Sequence, residues 1–390
     1  MSSVKKPDVI ILTKGTKIDK FIVKKHIGHG GYGEIYSVRR EDNNTLYAMK
    51  TEMRGMHRRG LDEEISFLKE LRGTPFFPCI NAFGETHDFK WLVMELLGPS
   101  TSQICRVLPS ESFSKYTATF LAKSMLMAIE ECHNRNIVHR DIKPANFLIR
   151  PDRDYPICLI DFGLSRNYAD ENGNPYPPRD HPGFIGTCSF ASLRAHDGEE
   201  LSMRDDLISF IYTLVYLVDR IPWPGSKNRK KTKEMKQKIS ASRLLKKLPK
   251  QFIEIYNNIN RLSFYDVPDY QLYYQLIDQA LDEMGGRNKP LDWEKLSQHT
   301  ISRVSSIPLK MKKHTIKASP NIETELNNEN KEGENGKNNR KGKTNKKRKL
   351  NGDDSSDPGA TPNGSNSNSS FNSSSYYSDA SGGCTACNIA

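Results

Sequence analysis

Two short runs constrain this chain more than its size or charge does. They are His139-Arg140-Asp141-Ile142-Lys143-Pro144-Ala145-Asn146 and, fifteen residues after Asn146, Asp161-Phe162-Gly163. Between them FLIR and ICLI read as two short strands of a hairpin, which would return Asp161 to the side of Asn146. One carboxylate, Asp141, is then placed to orient an incoming hydroxyl and accept its proton. A second carboxylate and an amide, Asp161 and Asn146, are placed to hold Mg2+ on phosphates.

Upstream lies Gly28-His29-Gly30-Gly31-Tyr32-Gly33, flanked by strand-like segments. Glycine lets backbone N–H groups approach a phosphate with no Cβ in the way. Alone, such a run is equally a tight hairpin. A dinucleotide site would need a helix after it, whereas EIYSV follows, so that reading is disfavoured. Tyr47-Ala48-Met49-Lys50 ends the next strand, and a buried lysine there would neutralise phosphate charge if a carboxylate held it. Arg59–Arg72 has Leu61, Ile65, Leu68 and Leu71 at helical spacing. Glu64 shares the inward face with Leu61 and Leu68, so it is preferred to Glu63 as that carboxylate. Without the glycines, a surface lysine and two solvated acids would be the default.

FIVKKHI, EIYSVRR, TLYAMK, TPFFPCI and FKWLVMELL read as strands, and Phe113–Arg135 as a long helix. Phe210–Val218 is too short to span a bilayer and reads as a buried core helix. A strand-rich front and a helix-rich back predict an α+β chain with two unlike lobes. Beyond about residue 305 aromatics and aliphatics give way to Asn, Ser, Gly, Lys and Glu. Such a segment buries too little apolar surface to offset the entropy of ordering it and is expected to be disordered. The division expected is an N-terminal extension (1–17), a folded domain (18–298) and a tail (299–390). MSSVKKPDVIIL has only four consecutive apolar residues and does not resemble a signal peptide. The seven cysteines show no zinc-like pairing in the folded part.

With these motifs in order, the sequence resembles protein kinases over roughly residues 18–296. Within them it is similar to the casein kinase I group, and most closely to the tau-tubulin kinase branch. MELLGPS, GTCSFASLRAH, RDDLISF, VPDYQL and LDWEK carry the closer match. The usual Ala-Pro-Glu is replaced by Ala191-Ser192 with a downstream His196. The resemblance implies a two-lobed kinase fold and transfer of the ATP γ-phosphate to serine or threonine, with Mg2+ (or Mn2+) as the ion. It implies Asp141, Lys143, Lys50 and Glu64 as the catalytic set and Asn146 and Asp161 as metal ligands. Gly28, Gly30, Gly31, Gly33 and Lys50 would meet the phosphates, and Lys143 the γ-phosphate. Met94 would be the gatekeeper, with the backbone of Glu95 and Leu97 on the adenine edge and Ile27, Ile35, Ala48 and Leu148 around the purine. Asp206 would support the catalytic loop. Ser189 stands where the group usually has an arginine that binds acidic or phosphorylated substrates, which puts priming in doubt; the Lys227–Lys238 stretch is a candidate substitute. Ile211 replaces a small core residue, expected to be a packing change only.

The formal net charge is +11, and seven of the ten residues 340–349 are basic. Charge of this kind suits nucleic acid, acidic protein substrates or an anionic membrane, and does not choose among them. Cys387-Asn388-Ile389-Ala390 matches a prenylation box, and Cys384 is the better second lipid signal. Lys346–Lys349 also reads as a nuclear import sequence. The expected address is the cytoplasm or the cytoplasmic face of a membrane, with the nucleus as the competing one. Two rival readings are a pseudokinase scaffold and a nuclear kinase with a nucleic-acid-binding tail. The first usually lacks the lysine or one of the aspartates, and all are present here. Absent aromatics near the basic run argue against base stacking. The oligomeric state is left open.

Overall fold

The computed structural model describes residues 11–29, 33–54, 60–150, 156–224, 228–307 and 309, all within one compact unit. The front half is a six-stranded antiparallel sheet. Its strands are β1 (Lys17–Ile18), β2 (Phe21–His29), β3 (Glu34–Arg40), β4 (Leu46–Met53), β5 (Ile80–Glu85) and β6 (Phe89–Glu95), in the order β1-β2-β3-β4-β6-β5. Alternation along the strands sorts the side chains. Phe21, Val23, Tyr36, Val38, Met49, Trp91 and Val93 form one buried cluster. Ile35, Ala48 and Lys50 alternate with Tyr36 and Met49 and so lie on the opposite face.

Helix α1 (Gly60–Glu70) buries Leu61, Glu64, Phe67 and Leu68. The apolar three of these join the large core that continues through the helical half, which fixes where Glu64 points. TPFFPCI is not a strand: residues 74–79 turn, and β5 begins only at Ile80. Pro75 and Pro78 lack the N–H a ladder needs and disfavour continuous pairing. Phe76 and Phe77 are apolar because they plug the core from a loop. FKWLVMELL likewise stops pairing at Glu95.

The back half comprises α2 (Thr101–Val107), α3 (Lys115–Asn134), α4 (Leu193–Asp197), α5 (Met203–Val218), α6 (Arg229–Lys238), α7 (Ala241–Leu244), α8 (Gln251–Arg261), α9 (Tyr270–Glu283) and α10 (Gln298–Ser302). The short strands β7 (Ile137–Val138) and β10 (Arg166–Asn167) pair with each other, as do β8 (Phe147–Ile149) and β9 (Ile157–Leu159). α3 starts later than expected because Ser114 caps it, its side chain accepting from Thr117 N at 3.2 Å, worth about 1 kcal/mol. Phe113 instead packs on the ring of the buried Trp293. α5 is buried from Met203 through Val215, as an all-round apolar helix must be, and Ile211 is fully enclosed there. Among the described residues no helix is long and apolar enough to cross a membrane.

Candidate active site

Three groups meet at the junction of sheet and helices. Lys50 Nζ lies 2.5 Å from Glu64 Oε2 and 3.0 Å from Asp161 Oδ1. β4 delivers the lysine, α1 the glutamate, and the turn after β9 the aspartate. Burial alone would pull the Lys50 ammonium down, but the two carboxylates outweigh it and hold its pKa above the ordinary lysine value. Two acids share one cation, and they separate accordingly. Burial, with Asp161 nearby, pushes Glu64 up despite Lys50. Asp161 is also desolvated, but Lys50, with help from Lys143, holds it down and ionised.

The β8–β9 hairpin returns the chain as its sequence suggests. Phe147 pairs with Leu159, and Ile160 N donates to Asn146 O at 3.0 Å. Asn146 Nδ2 donates to Asp141 O at 2.9 Å. Phe162 is buried between Phe77 and His139, with ring centroids at 5.6 and 5.0 Å. The Asp141 carboxylate takes Lys143 Nζ at 2.5 Å on one oxygen and Thr187 Oγ1 at 2.7 Å on the other.

Arg140 and Asp161 sit at φ of 65° and 72°, a left-handed conformation that costs a non-glycine residue about 1–3 kcal/mol. Asp206, from α5, helps hold the first of these by accepting from His139 N at 2.7 Å and Arg140 N at 2.8 Å. His139 Nδ1 accepts from Asp141 N and Nε2 lies 3.2 Å from Ile160 O, which selects the neutral Nε2–H form. Burial lowers its pKa accordingly.

The residues expected around adenine are distributed along the sheet and the segment joining the lobes. Ala48 pairs with Met94, Lys50 with Ile35, and Ile35 with Gly28. Ile27, Ile35, Ala48 and Leu148 are half-buried, and Met94 and Leu97 buried. Leu148 bridges to Ser100, and the Glu95 carboxylate is tied to Arg150 at 2.6 Å. Gly33 must be glycine for a packing reason, since a Cβ there would stand 1.7 Å from Thr51 O. Gly30, Gly31, Lys227, Cys384, Cys387 and the basic run 340–349 lie outside the described residues.

Several contributors carry no local sequence signal. Thr187, which meets both Asp141 and Lys143, stands 46 residues beyond the aspartate. Glu200 gathers Arg140, Arg166 and Arg179 from three segments. Lys236, within the basic stretch, is buried. Its Nζ donates to Cys188 O at 2.9 Å and Ala191 O at 2.6 Å, so this side chain braces the backbone on both sides of Ser189.

A curled antiparallel sheet over a helical lobe, with these ionised groups at the junction, defines a protein-kinase fold. The protein kinase domain family matches residues 21–283, and the chain belongs to it. It is 33% identical over 279 residues to a probable serine/threonine-protein kinase of Dictyostelium discoideum, covering 70% of this chain and 56% of that protein. It is 32% identical over 296 residues to the serine/threonine-protein kinase spe-6 of Caenorhabditis elegans, covering 72% of this chain and 78% of that protein. The chain thus spans little more than half the length of the first relative.

Proposed function

We propose that this chain is a serine/threonine protein kinase of the casein kinase I group, nearest its tau-tubulin kinase branch. The observation that carries the reading is the pair of assembled clusters: Lys50 between Glu64 and Asp161, and Asp141 facing Lys143 and Thr187. Lys50 binds the α/β-phosphates, with Glu64 fixing its direction. Asp141 orients the acceptor hydroxyl and takes its proton, while Lys143 meets the γ-phosphate. Gly28 and Gly33, with Gly30 and Gly31, cover the phosphates. Met94, Glu95, Leu97, Ile27, Ile35, Ala48 and Leu148 frame the adenine.

The donor set suits Mg2+, which takes oxygen ligands. Asp161 is held ionised by Lys50, and Asn146 spends its amide N–H on Asp141 O, leaving its carbonyl oxygen as a ligand. Bound there, the ion neutralises charge on the phosphates.

The group assignment is supported by Ala191-Ser192 in place of Ala-Pro-Glu, where Ser192 caps α4 by accepting from Ala195 N at 3.1 Å. Acidic protein substrates fit the exposed basic side chains of α6. Cys387, with Cys384, tethers the chain to a membrane's cytoplasmic face; a Cys387→Ser chain that stays in the membrane fraction would contradict this. The acceptor is tested by incubating the chain with labelled ATP, Mg2+ and casein and hydrolysing the product. Label on phosphoserine or phosphothreonine is expected, and label on phosphotyrosine alone would refute the serine/threonine reading.

A further inference from the structure

His26, His29 and Glu34 stand together at the turn end of the β2–β3 hairpin, and none of the three side chains is assigned a role at the nucleotide. His26 Nε2 is 2.5 Å from Glu34 Oε2, and His29 Nδ1 is 2.9 Å from Oε1. One donor atom from each lies within 4.8 Å of the others. The clustering is a product of local irregularity. His26 pairs with Tyr36 and His29 with Glu34, so three steps on β2 answer two on β3. Histidines three apart on a regular strand face opposite sides. The shift between His26 and Gly28 returns His29 to the side of His26. That side is the one Tyr36 shares, opposite Ile35 and Lys50.

We infer that His26, His29 and Glu34 bind one divalent transition ion of the Zn2+ class, which fastens β2 to β3 on the face away from the nucleotide. Two imidazoles and one carboxylate are a borderline-soft donor set that suits Zn2+, and they leave a fourth position for water. Mg2+, which requires a shell of oxygens, is a poor fit. Access is open: the His29 side chain is 77% exposed and that of His26 38%, while Glu34 at 14% is the fixed member. The hydrogen bonds now joining the three would be replaced by bonds to the ion, with any imidazole protons at the coordinating nitrogens released.

The inference is independent of the phosphotransfer reading. The test uses the full chain, tag-free and stripped of metal, titrated with Zn2+ by calorimetry, because other donors in the chain must be subtracted. The wild type is expected to bind one more ion than His29→Ala, with a Kd on the order of 1 µM or tighter. His26→Ala and Glu34→Gln should weaken that ion on the order of 100-fold. Equal stoichiometry and affinity in wild type and His29→Ala would overturn the site. Bound zinc should slow hydrogen exchange of amides 26–29 and 34–36 in the wild type alone. Unchanged exchange with zinc bound would overturn the strap. Millimolar Mg2+ displacing the zinc would overturn the assigned metal class.

Discussion

Asp206 shows how one buried side chain supports a strained loop. Its two oxygens accept from the backbone N–H groups of His139 and Arg140, and one also meets His133 Nε2 at 3.1 Å. An asparagine has one oxygen and one NH2, so Asp206→Asn turns one of those acceptors into a donor facing a donor. Leaving a buried N–H unpaired costs about 1–3 kcal/mol. Urea unfolding should show a loss of that size, and turnover should fall with it; unaltered stability would mean the loop holds itself. His196 makes a prediction in pH. Burial, then the charge of Lys236 at 3.3 Å from its ring nitrogen, with Arg229 and Lys233 beyond, lowers its pKa to about 4, against about 6.5 when unfolded. A pKa lowered by folding contributes stability that is complete above about 6.5 and lost as pH falls through 4. The stability difference between wild type and His196→Leu should therefore move against the wild type as pH falls from about 6.5 to 4. A difference independent of pH would contradict the assignment.

The β2–β3–β4 hairpins show which parts of an element its sequence discloses. Alternation announced β2, β3 and β4, and helical spacing announced α1 with Glu64 on its inner face. TPFFPCI has the apolar content of a strand, but its two prolines disfavour pairing and its phenylalanines serve the core from a loop. The side to which His29 points was hidden as well, since a register shift in pairing leaves no mark on the spacing of residues. Gly33 belongs to the same hairpin. Its missing Cβ makes room for Thr51 O, so Gly33→Ala must push β3 away from β4. Thermal unfolding should come several degrees lower and the ATP KM should rise; an alanine chain unchanged in both would mean the strands part freely.

Across the molecule, what was legible was what is local. His139–Asn146 and Asp161–Gly163 are continuous runs joined by a short hairpin, so their mutual placement followed from spacing. The contacts of Asp141 with Thr187, of Asp206 with the loop's backbone, and of Glu200 with three arginines depend on how α4, α5 and the segment before them pack on the loop. Spacing alone contains no such information: Asp206 is legible only through the family resemblance, and Thr187 and Glu200 carry no local signal. Both lobes converge on the Lys50–Glu64–Asp161 set, so phosphotransfer depends on the two halves together. The most direct test compares ATP binding and turnover in the wild type and Asp141→Asn. Nucleotide affinity is expected to change little, because Asp141 contacts Lys143 and Thr187 rather than Lys50, while turnover falls by about 10²–10⁴-fold. Substantial turnover by a clean Asp141→Asn preparation, with label reaching protein at near the wild-type rate, would contradict this role of Asp141.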